Sequence, residues 1–138
     1  AVDIPLLHIG DAIAAAVHDS GAIRPLLLAT RFAMEQDFYL GYLRESHGIH
    51  AVVPKERDRM EVHRVIYEEL CQGKVLDSST RAYMQIIDRA CSDADAPADS
   101  VIFGCTEIGL LITSGDFLIP AFDTTVLHAE AALTFAGY

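Results

Sequence analysis

Ser100-Val101-Ile102-Phe103-Gly104-Cys105-Thr106-Glu107 decides how this chain is read. Three large apolar residues follow Ser100 without alternation, which is the pattern of a strand buried on both faces. The small, acidic stretch from Ser92 to Ala98 before it reads as a loop, and Gly104 ends the run. Cys105-Thr106-Glu107 then opens a short predicted helix through Leu111. A strand feeding a tight turn and a helix is one half of a βαβ unit.

Working outward, the same alternation recurs. Upstream, Pro5 to Ile9 is a short apolar run, and Asp11 is a plausible N-cap for an Ala-rich helix through Val17 that Gly21 ends. Pro25 to Thr30 reads as a buried strand. Phe38, Tyr42 and Leu43 mark a helix from Met34 to about Ser46, with Met34-Glu35-Gln36-Asp37 as its solvated start and Gly48 as its stop. Ala51-Val52-Val53 predicts a second short strand closed by Pro54. A helix over about Asp58 to Cys71 presents Val62, Val65, Ile66 and Leu70 on one face. Ser78, Ser79 and Thr80 offer caps for another helix, with Tyr83, Ile86, Ile87 and Ala90 apolar. Downstream, Leu118 to Phe122 predicts a last strand, and Asp123 caps a final helix from Thr124 to Ala136. Strands separated by helices of this length predict one α/β domain over residues 1–138 with a mostly parallel sheet.

Composition agrees and excludes several classes. A chain of 138 residues with 51% apolar content suits one self-supporting domain and excludes disorder. The net charge of -10, with Lys55 and Lys74 the only lysines, argues against a sequence-independent nucleic-acid binder. No run approaches the ~20 apolar residues of a membrane helix. The opening Ala1-Val2-Asp3-Ile4-Pro5 has no basic segment and no signal-peptide core; it is compatible with Met removal or with a chain cut from something longer. Three cysteines without regular spacing make no disulfide framework, and a reducing cytoplasm is the simplest setting.

In open parallel sheets, ligands sit beyond the carboxyl ends of the strands. Those ends carry Thr30, Pro54, Cys105-Thr106-Glu107 and Asp123. Cys105 is the leading candidate for chemistry. At a strand-to-helix turn, backbone N–H groups and the helix dipole favour thiolate and predict a lowered pKa. The Thr106 hydroxyl and nearby N–H groups could hold a carboxylate or a developing enolate. The competing reading makes Cys105 a small buried hydrophobe. Cys71 and Cys91 near helix C-termini read as core, and His47 and His50 flank a turn and read as solvated. His128, one turn into the last helix, and Asp123 could act as base or orienting groups, or serve structure alone. No CxxC or HExxH supports a zinc site, and no glycine-rich loop indicates a nucleotide cofactor.

The segment Val101 to Leu111 resembles the second cysteine motif of cofactor-independent aspartate/glutamate racemases. Ile119-Pro120-Ala121-Phe122-Asp123-Thr124-Thr125-Val126-Leu127-His128-Ala129-Glu130 resembles their C-terminal motif. Ala29 to Tyr39 and Ile66 to Gly73 fit the same family, nearest its broad-specificity branch. The likeness covers essentially the whole chain, although a Gly-Cys-Thr turn alone also occurs in related decarboxylases and maleate isomerases.

The resemblance implies a three-layer, flavodoxin-like domain that is the second half of a normally two-domain racemase. It implies proton transfer at Cα by two cysteines without pyridoxal phosphate, with Cys105 as one base and Thr106, Glu107 and Thr30 as substrate contacts. The substrate would be an amino acid or dicarboxylate, with no cofactor and no metal. The partner cysteine of such enzymes lies in a Cys-Thr-Asn-Thr-like turn of an N-terminal domain. The given sequence has no such turn, and by the resemblance its first residues would correspond to the start of the second domain. Relatives often carry a substrate-binding lysine near Glu61, where the charge here is reversed. A missing N-terminal domain or a homo-oligomer would complete the cleft. The last helix would show an apolar face of Leu127, Ala131 and Phe135, and a two-fold pair could set two Cys105 thiols across one cleft. The runner-up is a non-catalytic module that binds a small carboxylate or serves assembly.

Overall fold

The computed structural model describes residues 4–138. The opening Ala1-Val2-Asp3, read above for targeting signals, lies outside the described residues. Three strands form one wholly parallel sheet in the order β1 (Pro25–Leu28), β2 (Ser100–Phe103), β3 (Ala121–Asp123). Pro25 pairs with Ser100 and Leu28 with Phe103; Val101 pairs with Ala121 and Phe103 with Asp123. All four residues of both β1 and β2 are buried. Strands can bury both faces only when helices cover both sides, so the domain has three layers.

The segment expected as a strand at Ala51–Val53 contributes a single parallel bridge, Val52 to Leu26. Leu27 donates to the Val52 carbonyl at 2.8 Å and Val52 to the Pro25 carbonyl at 2.9 Å. Pro54, which has no N–H to donate, stops the pairing there. Counting that bridge, the order is Val52, β1, β2, β3. Chain direction across the sheet therefore reverses between β1 and β2, the doubly wound arrangement whose crevice opens at that reversal.

Helices α1 (Ile9–Ser20), α3 (Asp37–His47) and α6 (Thr124–Phe135) pack together through α1. Helix α4 (Glu56–Glu68) meets α2 (Arg31–Glu35) and α5 (Asp77–Cys91). Ile13 and Val17 of α1, Val62, Val65 and Ile66 of α4, and Tyr83, Ile86 and Ile87 of α5 enter one core with the strands. Gly21 and Gly48 take left-handed conformations after their helices, as the stop signals predict, and Gly73 does the same.

Several boundaries differ from expectation. The apolar run Pro5 to Ile9 forms no strand, and Ile9 already opens α1; His8, not Asp11, caps α1, its Nδ1 accepting from the Gly10 amide. Asp11 instead accepts from the Tyr42 hydroxyl at 2.6 Å and meets His47 Nε2 at 2.9 Å, so His47 is paired rather than merely solvated. The helix expected from Met34 is two helices, because Thr30 caps α2 and the chain turns extended at Gln36. Helix α4 stops at Glu68 and passes into a 3-10 turn, Leu70–Gln72. Helix α5 starts at Asp77 after Leu76, ahead of the serines expected to cap it. The last strand begins at Ala121, and Leu118 is fully exposed. Asp123 caps α6 as expected, accepting from the Thr125 amide at 2.9 Å. On α6, Leu127 packs on the core, so the uncovered apolar residues are Val126, Leu133 and Phe135.

Candidate active site

The reversal between β1 and β2 sets Ala29-Thr30 beside Gly104-Cys105. Gly104 continues the ladder past the last paired residues, its amide donating to the Leu28 carbonyl at 2.7 Å. A Cβ at position 104 would stand 2.8 Å from Leu27 Cδ1 and 3.1 Å from Ala29 Cβ, so only glycine lets the two strand ends close together. On the other side, Thr124 Oγ1 donates to the Phe103 carbonyl at 2.8 Å from a buried position. Gly109 lies so close to Asp123 that a Cβ there would come within 2.9 Å of its free carboxylate oxygen. Cys105 is thus carried between the ends of β1 and β3 on a backbone fixed from both flanks.

After Cys105 the chain forms a five-residue 3-10 turn, Thr106–Leu110, instead of the expected α-helix. Such a turn has too few aligned peptides for a developed dipole. The predicted depression of the Cys105 pKa is accordingly overturned. Burial, and then the hydrogen bond to the Glu107 carboxylate, push the thiol up to about 12. Cys105 Sγ donates to Glu107 Oε2 at 2.8 Å, and Thr106 Oγ1 donates to the same oxygen at 2.8 Å. Those bonds hold the Glu107 carboxyl below its ordinary range. At neutral pH the turn is a thiol and a hydroxyl converging on one carboxylate.

Thr30, expected at the substrate, caps α2, its Oγ1 accepting from the Ala33 amide at 3.5 Å. Asp123 caps α6, and His128 Nε2 meets the Leu7 carbonyl at 3.1 Å, tying α6 to the N-terminal segment. Glu61 is held by Arg64 through two bonds of 2.8 and 3.0 Å. Thr30, Cys105, Thr106, Glu107 and Asp123 are therefore gathered at adjoining strand ends. Glu61 stands on α4, away from those strand ends and paired with Arg64.

Sequence reading missed the layer behind the cysteine. Tyr83 is fully buried and donates to the Val62 carbonyl at 2.9 Å. Glu69 is buried, accepts from Ser79 Oγ, and meets Arg64 Nη1 at 2.8 Å. His63 on α4 accepts from the Arg31 amide at 3.1 Å, pinning the residue after Thr30. Adjacent Glu68 and Glu69 look alike in the sequence, and only packing buries the second of them. Cys71, expected in the core, is exposed on the 3-10 turn beside that of Cys105; Cys91 is half-buried.

A larger cavity lies elsewhere. About 660 Å³ opens between Val52–Lys55 and the C-terminal end of α5, with ion pairs Lys55–Asp93 and Arg89–Asp58 at its rim. Its walls are largely apolar and its charges already paired, whereas Cys105 sits at the strand ends. A smaller cavity of about 320 Å³ touches Gly109 and Asp123 on the flank of the Cys105 turn. Among the described residues no three His, Cys, Asp or Glu side chains converge as a metal site, and no helix is long and apolar enough to cross a membrane.

A parallel sheet with its reversal between β1 and β2 places the chain in the class of doubly wound α/β proteins. The sequence model described as Asp/Glu/hydantoin racemase matches residues 1–132, and this chain belongs to that family. It is similar to a candidate Asp/Glu racemase of Yersinia pestis, at 44% identity with a TM-score of 0.89, over 98% of this chain and 57% of that one. It is also similar to an aspartate racemase homologue of Pyrococcus horikoshii, at 33% identity and TM-score 0.86, over 99% of this chain and 58% of that one. An aspartate racemase of Picrophilus torridus, at 23% identity and TM-score 0.73, over 99% of this chain and 55% of that one, shares the fold. The chain thus spans little more than half the length of the solved structures it matches.

Proposed function

We propose that this chain is the Cys105-bearing half of a cofactor-independent amino-acid racemase, corresponding to the second, C-terminal domain of two-domain relatives. The observation that carries the reading is the position of Cys105 Sγ, a protonated thiol at the crevice of the sheet beside Thr106 and Glu107. A thiol so placed is suited to be the acid of a two-base exchange. A base on the opposite face takes the Cα proton, the Cα–H bond breaks, and the resulting enolate-like carbon takes the proton from Sγ. Cys105 is left as thiolate, and reversal uses it as the base. The Cα proton of an amino acid is very weakly acidic, so hydrogen-bond donors must stabilise the substrate carboxylate as charge develops on it.

The substrate class is an amino acid, with aspartate and glutamate suggested by the family name and by the relatives' descriptions. The opposite base comes from a further domain or from a second copy of the chain. Exchange of Cα–H for deuterium, followed by proton NMR with L- and D-aspartate, glutamate and neutral amino acids, tests this. Exchange with inversion indicates that a second base is present, and exchange with retention indicates Cys105 alone. Binding without any exchange rejects the racemase reading and leaves a carboxylate-binding module.

A further inference from the structure

We propose that Glu107 is a positioning residue for Cys105, its Oε2 oxygen keeping the proton on Sγ so that this half-site rests in its acid form. The inference rests on the reading of Cys105 as a reacting thiol, but the Glu107 contact is a property of the folded chain. The family resemblance suggested Glu107 as a substrate contact; its geometry assigns it to the cysteine.

Two donors meet on one oxygen. The 2.8 Å bond from Sγ and the 2.8 Å bond from Thr106 Oγ1 both end on Glu107 Oε2. A carboxylate held by two donors has its rotamer fixed, and it in turn fixes the direction of the S–H bond. The backbone allows this because Cys105 is extended, at φ -135° and ψ 134°, and the 3-10 turn then folds residue 107 back toward residue 105. Thr106, expected to donate to a substrate carboxylate, has its hydroxyl proton committed to Glu107.

Among the described residues Glu107 touches Sγ, from its own turn. Cys71 on the turn Leu70–Gln72 and Tyr83 on α5 are within electrostatic range of the thiol, and Tyr83 is in turn within range of Glu61 and Glu69, both engaged by Arg64. None of Glu107, Cys71 and Tyr83 is a cation. Among the described residues Glu107 is the one formal charge in hydrogen-bond contact with the sulfur, and a neighbouring anion opposes thiolate formation. In the exchange, the Sγ proton passes to Cα and the thiolate is left opposite Glu107. That arrangement favours return of a proton to sulfur and resets the acid.

The test uses the chain with Cys71→Ser and Cys91→Ser, leaving Cys105 as the only thiol. Alkylation by iodoacetamide is followed from pH 6 to pH 11 beside the 240 nm absorbance of thiolate. Glu107→Gln keeps shape and loses charge; its titration is expected to move down by at least a unit, giving about tenfold faster alkylation at pH 8. Glu107→Asp, which keeps the charge, is expected to titrate nearer to the parent than Glu107→Gln does. Thr106→Val, which frees the carboxylate from its second donor and leaves Oε2 a stronger acceptor for Sγ, is expected to move the titration the opposite way, upward, by less. A Glu107→Gln titration superposing on that of the parent, with the fold intact by circular dichroism, overturns the proposal. If Glu107→Gln fails to fold, an unchanged titration in Thr106→Val overturns it instead. A shifted titration with no Cα exchange rejects the racemase reading and leaves the Glu107 assignment standing.

Discussion

The amide of Gly104 donates to the carbonyl of Leu28 at 2.7 Å, one step beyond the last paired residues of β1 and β2. That bond joins the two strand ends between which the sheet reverses, and Cys105 is the next residue. Gly104→Ala would press a methyl against Leu27, Ala29 and the Leu28 carbonyl oxygen. Overpacking of this kind costs about 1–3 kcal/mol. Urea unfolding of Gly104→Ala should show that loss. The alkylation profile of Cys105 should change with it, because the backbone that aims the thiol must shift.

Glu69 and Ser79 link the turn after α4 to α5 out of solvent. Ser79→Ala removes one hydrogen bond to a charged group, expected at about 1.5–3 kcal/mol. The Ser79 hydroxyl, and then Arg64, hold the Glu69 carboxyl below its ordinary 4.5. A depressed carboxyl contributes stability that is fully present above pH 4.5 and lost as pH falls through the folded-state value. Denaturation midpoints from pH 7 to pH 3 should therefore fall in the parent, and fall less steeply in Glu69→Gln.

Tyr83 is fully buried in the core and its hydroxyl ends on the Val62 carbonyl. Tyr83→Phe should cost about 0.5–1.5 kcal/mol in unfolding free energy. Since the ring is retained, the circular dichroism spectrum should be unchanged.

Cys71 is exposed, whereas burial and Glu107 hold Cys105 as a thiol. At pH 7.5 mass spectrometry after brief alkylation should find Cys71 modified first and Cys105 last. In urea all three cysteines should react at similar rates.

Much of the sheet was legible because β1 and β2 are buried on both faces and so read as unbroken apolar runs. The edges were not. Leu118-Ile119 is as apolar as any strand, yet Val101 donates to the Pro120 carbonyl, so pairing starts only there and Leu118 is left in solvent. At the other edge Pro54 permits Val52 a single bridge. For the site, the strand-end rule singled out Cys105, Thr106 and Asp123 from position alone. The protonation of Cys105 was misread because three residues of turn do not reveal whether an α-helix or a 3-10 turn follows. A side chain that folds back two residues, as Glu107 does, leaves no periodic trace. Glu69 and Ser79 are ten residues apart across a turn, and only tertiary packing joins them.

The central claim is that Cys105 is the acid and base at Cα. Deuterium uptake at Cα of L- and D-aspartate, compared between the parent chain and Cys105→Ala, tests it most directly. Uptake by the parent that rises with pH, as thiolate forms, and disappears in Cys105→Ala is the predicted result. Uptake that persists at the parent rate in a folded Cys105→Ala chain would contradict it.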